Sequence, residues 1–77
     1  MKYSEFLSKY VGHKAHFDKN MEGQYLLDFT GDSFSNVTVK GAHEEFYALF
    51  DEVEKVYLLV PYARTIIRVS KNEGNEK

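Results

Sequence analysis

Residues 42–69 read AHEEFYALFDEVEKVYLLVPYARTIIRV, and two incompatible periodicities run through them. At 3.6 residues per turn, Phe46, Leu49, Phe50, Val53, Val56 and Tyr57 share one face. Glu44, Tyr47, Asp51, Glu52, Glu54 and Lys55 lie around the other, which describes an amphipathic helix. At a repeat of two, the same residues form a hairpin of strands 46–50 and 55–60 with its turn at 51–54. A turn at Pro61 and a last strand over 65–69 follow. Composition favours the helix, because Glu, Ala, Leu and Lys are good helix formers and the turn lacks Gly, Asn or Pro. The continuation favours strands: Tyr57-Leu58-Leu59-Val60 is apolar all round and puts Leu58 and Leu59 on the polar side of the helix. A strand buried on both faces accommodates that run. The reading is therefore all-β, with an α+β domain carrying a second helix at 43–58 as the alternative.

Outward from this stretch, the remaining elements are short. Tyr3, Phe6, Leu7 and Tyr10 follow i, i+3, i+4, i+7, which predicts a helix over 2–11 that Gly12 stops. Lys14-Ala15-His16-Phe17 is a brief strand closed by Asp18-Lys19-Asn20 and Gly23. Residues 24–30 alternate, with Tyr25, Leu27 and Phe29 on one face. Gly31-Asp32-Ser33 reads as a turn, and 36–40 as a strand with Val37 and Val39 together. Residues 70–77 are polar and aperiodic, a disordered tail by composition. The whole is one domain over 1–69.

Size and charge narrow the function. Seventy-seven residues without cysteine have no disulfide framework and no thiolate zinc site. A chain this short buries only roughly 60 per cent of its unfolded surface, and small domains of this kind often gain stability by self-association. Six Phe and six Tyr supply the apolar area that a compact core needs. The net charge of −2 argues against a strongly basic nucleic-acid footprint. The charges are segregated: Glu44, Glu45, Asp51, Glu52 and Glu54 fall in a segment without a base, and Lys55, Arg64 and Arg68 in the next without an acid. No apolar run is long enough to span a bilayer and the N-terminus lacks a signal-peptide core, so the expected compartment is the cytoplasm.

In order, a short N-terminal helix, "YVGHKAHF", a strand, "VTVKGAHEEFYALF" and "VYLLVPYARTIIRV" resemble the Sm-like group of small barrels that includes bacterial Hfq. Glu44-Glu45-Phe46 is similar to the acidic-polar-Phe segment before that family's third strand, and Thr65-Ile66-Ile67 to its last. The resemblance implies a closed, five-stranded Sm-like or SH3-like barrel after the helix. Where Hfq has a Tyr-Lys-His segment that contacts RNA, this chain has Leu59, Val60 and Pro61, so that chemistry does not transfer. Phe46 keeps a stacking face by the same resemblance.

The other motifs resolve to structure. Gly31-Asp32-Ser33-Phe34 is similar to the nucleophile block of the Gly-Asp-Ser-Leu esterases, but no Asp stands three residues before a His. His13, His16 and His43 make at most a sparse metal set, and Asp28, Thr30 and Asp32 begin a calcium loop whose twelfth position is Val39, which has no carboxylate. Asn36-Val37-Thr38 is a glycosylation acceptor without a secretion signal. The acidic pairs lack the cleft that acid–base chemistry needs. Neither an enzyme, a cofactor, a metal nor a small-molecule substrate is expected. What remains is a non-catalytic interaction module that pairs with another copy or another protein through Val56, Leu58, Leu59 and Val60. The alternative is a single-stranded RNA binder using Phe46, Tyr62, Arg64 and Arg68.

Overall fold

The computed structural model describes residues 2–20, 22–31 and 34–70. Helix α1 spans Tyr3–Leu7 and tightens into a 3-10 turn at Ser8–Tyr10, together filling the segment expected to be helical. Alone, so short a helix is unstable in water. Its stability comes from packing: Leu7 is fully buried, and Tyr10 packs against Phe29 with ring centroids 4.5 Å apart. Gly12 ends the segment at φ +94°, a left-handed conformation suited to glycine. Its N–H reaches the Val39 carbonyl at 2.7 Å, and Val39 N–H returns to the His13 carbonyl at 2.9 Å.

Six strands follow: β1 Lys14–Lys19, β2 Tyr25–Asp28, β3 Val37–Ala42, β4 Phe46–Asp51, β5 Val56–Pro61 and β6 Thr65–Arg68. They make one sheet in the order β5-β4-β3-β1-β2-β6. Strand β1 changes partner along its length: Lys14 and Ala15 pair with β3, and His16 to Lys19 pair with β2. Asn36 extends the first ladder with its side chain, whose Oδ1 accepts the Phe17 N–H at 2.8 Å while Nδ2 donates to the Phe17 carbonyl at 3.1 Å. Its amide thus stands in for a strand backbone. The core wrapped by the sheet is Leu7, Ala15, Leu27, Val37, Val39, Tyr47, Leu49 and Val60.

Segment 43–58 forms strands, as the all-β reading expects and against its helical alternative, whereas the expected closed, five-stranded barrel is corrected: the sheet has six strands and is open. The helix fails because the core selects alternate residues: Tyr47 and Leu49 are buried, and Tyr47 belonged to the polar face of the helical reading. Residues 43–45 form a hairpin turn, with His43 N–H on the Phe46 carbonyl at 2.9 Å, so β3 and β4 are separate strands. Closure fails for a topological reason. All neighbouring pairs are antiparallel except β2 with β6, so β5 and β6 run in the same sense across the sheet. Parallel neighbours need a crossover of roughly a dozen residues, and only the 3-10 turn Tyr62–Arg64 lies between them. Strand β6 therefore starts where β5 ends, displaced along the strand direction, and no ladder joins the two edges among the described residues. The expected turn at 31–33 falls partly, and the tail beyond Ser70 wholly, outside those residues.

The β4–β5 turn shows how a hairpin forms without Gly, Asn or Pro. Asp51 Oδ1 accepts the N–H groups of Val53 at 2.9 Å and Glu54 at 3.0 Å, and Lys55 N–H reaches the Asp51 carbonyl at 2.8 Å. Lys55 closes the turn at φ 64°. Asp51→Ala is expected to destabilise by about 1 kcal/mol, as loss of a capping carboxylate does. Lys55→Gly is expected to stabilise by roughly 0.5–1 kcal/mol by relieving the left-handed strain. Urea midpoints should move in opposite directions; a shared direction would contradict this account of the turn.

Candidate functional site

The hairpin register decides what β5 shows to solvent. Tyr47 lies opposite Val60, Leu49 opposite Leu58 and Asp51 opposite Val56, all facing the interior side. Phe46 opposite Pro61, Ala48 opposite Leu59 and Phe50 opposite Tyr57 face outward, since side chains alternate along a strand. The outward face of this hairpin is therefore apolar at every position. Phe50 and Tyr57 meet edge to face at 5.0 Å, and Phe46 stacks on His43 at 4.8 Å.

Strand β5 is also one edge of the sheet, and its exposure follows from that. Tyr57 and Leu59, on the outward face, are 65% and 67% exposed, while Ala48 and Phe50 beside them on β4 are half-buried. Val56, on the interior side, is 46% exposed. Of the four residues proposed from sequence as an apolar strand, Leu58 is half-buried and Val60 buried, whereas Val56 and Leu59 are exposed. The strand is not buried on both faces within the single chain, because among the described residues only β4 flanks it. Tyr57, Phe46, Ala48, Phe50 and Pro61 complete the apolar face; the signal for them was alternation combined with pairing register, and the register is a tertiary fact.

The four residues proposed for RNA are not brought together. Phe46 is 37% exposed at the end of β4. Tyr62 lies near that end, its N–H on the Glu45 carbonyl at 3.2 Å, but its ring turns inward between Tyr3 at 5.8 Å and Tyr47 at 5.3 Å. Arg64 is exposed, its Nη1 3.5 Å from the Glu22 carbonyl. Arg68 stands four residues further along the chain, about 13 Å at the rise of a strand. Its Nη1 is 3.4 Å from Oδ2 of buried Asp28. Within the chain, Arg68 serves Asp28, and Glu44 meets Lys2 at 3.7 Å.

Beneath the hairpin runs a buried polar chain. The Thr65 hydroxyl donates to the Pro61 carbonyl at 2.8 Å, so the Tyr47 hydroxyl, 3.1 Å from Thr65 Oγ1, is the donor of that pair. Burial pushes the Tyr47 phenol up to about 12, against the lowering effect of the Thr65 contact. Burial raises Tyr62 as well, and its buried hydroxyl makes no hydrogen bond within the described structure.

An open groove of about 340 Å³ lies between α1 and the β3–β4 turn, bordered by Lys2, Glu5, Ser8 and His43 among others. The Ser8 hydroxyl donates to the Glu5 carbonyl at 2.8 Å. Among the described residues, no three His, Asp or Glu side chains converge as metal ligands, and no helix is long and apolar enough to cross a membrane. Comparison of the chain with protein-family models, curated proteins and solved structures gives no match. The six-stranded open sheet departs from the closed five-stranded barrel that the Sm-like resemblance implied.

Two measurements test this description. The fold holds the Tyr47 phenol neutral, so stability is fully present below the unfolded value of 10.0 and is lost as pH rises through about 12. The melting temperature should stay level up to that range and then fall, with part of the tyrosinate absorbance appearing only as the protein unfolds; Tyr47→Phe should shrink the alkaline loss. Arg68→Ala should cost about 1–2 kcal/mol, less than a fully buried pair because the Arg68 side chain is more than half exposed. Arg64→Ala should stay within about 0.5 kcal/mol. Equal effects in urea denaturation would refute the separate roles given to the two arginines.

Proposed function

We propose that this protein is a non-catalytic interaction module that takes up a strand of a protein partner along the free edge of β5. One observation carries the reading: apolar side chains of β5 are exposed on both faces of the sheet, Val56 on one and Tyr57 and Leu59 on the other. Exposure on a single face would be relieved by a layer stacked on the sheet. Exposure on both faces is relieved by a neighbour alongside, which supplies flanking side chains above and below and pairs the free backbone groups. Unpaired apolar edges are otherwise blunted by charge, and between Val56 and Pro61 no charged side chain occurs.

Single-stranded RNA has weaker support. Its cations lie at opposite ends of β6, one of them committed to Asp28, and Glu44 and Glu45 adjoin the only exposed stacking ring of the set, Phe46. An electrostatic footprint of that kind gives little phosphate affinity.

A peptide library displayed on phage and panned against the folded chain should enrich extended apolar segments. Their binding should shift the backbone resonances of 56–61 and weaken about tenfold or more in Leu59→Lys. Oligouridine in low salt should leave the spectrum unchanged. Peptides that bind regardless of Leu59, or oligouridine binding that depends on Arg64, would overturn the reading.

A further inference from the structure

Five of the six strands, and helix α1, each place an apolar side chain in the fully buried core. Leu7 comes from α1, Ala15 from β1, Leu27 from β2, Val37 and Val39 from β3, Tyr47 and Leu49 from β4, and Val60 from β5. Strand β6 contributes none. Its one buried residue is the polar Thr65; Ile66 is 50% exposed, and Ile67 packs against the core half-buried. Local opening is opposed mainly by the buried apolar contacts it breaks, so β6 is the strand that the core holds least.

Among the described residues β6 pairs only with β2, in a parallel ladder of four residues, a pairing slightly weaker per residue than an antiparallel one. The link before it is closed by polar contacts. Thr65 donates its hydroxyl proton to the Pro61 carbonyl and its N–H to the Tyr62 carbonyl, and it accepts the Tyr47 hydroxyl. Both flanks of the link are already extended, Pro61 at φ −72° and ψ 146° and Thr65 at φ −106° and ψ 137°. Only Tyr62, Ala63 and Arg64 need to change conformation for β6 to swing away. The closed link also carries a cost, because the Tyr62 hydroxyl is buried there without a hydrogen bond within the described structure. Opening returns that hydroxyl to water.

We infer that the link Tyr62–Arg64 and strand β6 form a latch, which opens as one unit while α1 and the other five strands stay folded. With the latch shut, the three-residue link keeps the two edges of the sheet close and the sheet curled. With it open, β2 takes the place of β6 as the edge, Tyr47 loses Thr65, and Asp28 loses Arg68. The fold then has two states that share one core. The latch does not depend on β5 as a binding edge, so the two readings fail separately.

Native-state amide exchange of the full chain, in urea concentrations below its unfolding transition, tests this. Two amides report on the latch: Phe29, whose N–H bonds the Arg68 carbonyl at 2.8 Å, and Thr65. Val39, whose N–H bonds the His13 carbonyl at 2.9 Å in the core of the sheet, reports on the whole fold. The expected result is one shared opening for Phe29 and Thr65, with a weaker urea dependence than Val39 and an open population larger by about tenfold or more. Arg68→Ala should speed exchange at both latch amides by about tenfold. Tyr62→Phe should slow them by about tenfold, since the closed link then buries no unpaired hydroxyl. Val37→Ala should speed Val39 and leave the latch amides unchanged; if that variant does not fold, the urea dependences of the unaltered chain decide alone. A single urea dependence for Phe29, Thr65 and Val39 overturns the latch, because β6 then leaves only when the whole fold does. Separate dependences for Phe29 and Thr65 overturn opening as a unit, and latch amides that speed up in Val37→Ala overturn a core that stays folded.

Discussion

Tyr62 to Arg64 are all that separates the two edge strands of a six-stranded sheet. Laid flat, those edges would be about 24 Å apart at the usual strand spacing, whereas the chain from Pro61 to Thr65 can reach at most about 14 Å. The sheet must therefore curl until its edges approach. The curl brings Thr65 on β6 against Tyr47 on β4, strands that are four places apart in the sheet order, and it makes the concave side an enclosure that α1 fills with Leu7. A longer link would relax that requirement. The core would then lose the wall that β6 provides.

The same tether explains why curling stops short of closure. Strand β6 continues from β5 instead of lying beside it, so the two edges come near without sharing a ladder. Two features fit the chain to the turn at this join. Pro61 places its missing N–H on the solvent side of β5, where no bond to β4 is lost, and Thr65 returns a hydroxyl proton to the Pro61 carbonyl. Tyr62 meets Tyr3 edge to face and the buried Tyr47 at a tilt, so a run of aromatic contacts leads from the surface to the core beside the link. What is left on the outside is the apolar face of the hairpin and the free edge of β5. The edge proposed for binding is in this sense a by-product of the constraint that forms the core.

Polar groups inside the fold follow the rule that burial requires a partner. Asp28 is the strictest case: it points away from Leu27 on a strand whose other face is core, and it is held by the Thr30 N–H at 2.9 Å and by Arg68. The sequence pattern put Asp28 on the solvent side of β2. It is nevertheless buried, since β6 packs its backbone alongside and Arg68 reaches over it in parallel register. An arginine that looks like a surface cation in the sequence is thereby a structural one.

Local patterning was enough to determine a good part of this protein. The i, i+3, i+4, i+7 stripe from Tyr3 to Tyr10 marked the helix and Gly12 its end, and alternation marked Leu27, Val37 and Val39 as core positions, because these signals depend only on residues close in the chain. The stretch 42–69 was legible as strands only through Leu58 and Leu59, which no helical face could bury. Its turn looked wrong because the conformational work is done by the Asp51 side chain and by Lys55 in a left-handed conformation, neither of which announces itself by residue type. Strand partners lay beyond local reading altogether: that β1 divides itself between β2 and β3, that β6 lies parallel to β2, and that β5 is left at an edge. Pairing joins residues up to some forty positions apart, and it is decided by which arrangement lets a single curled sheet enclose one core. The sequence determined which residues are apolar and with what period; only the tertiary structure decided which of them the core consumes and which, Tyr57 and Leu59 above all, it leaves facing outward.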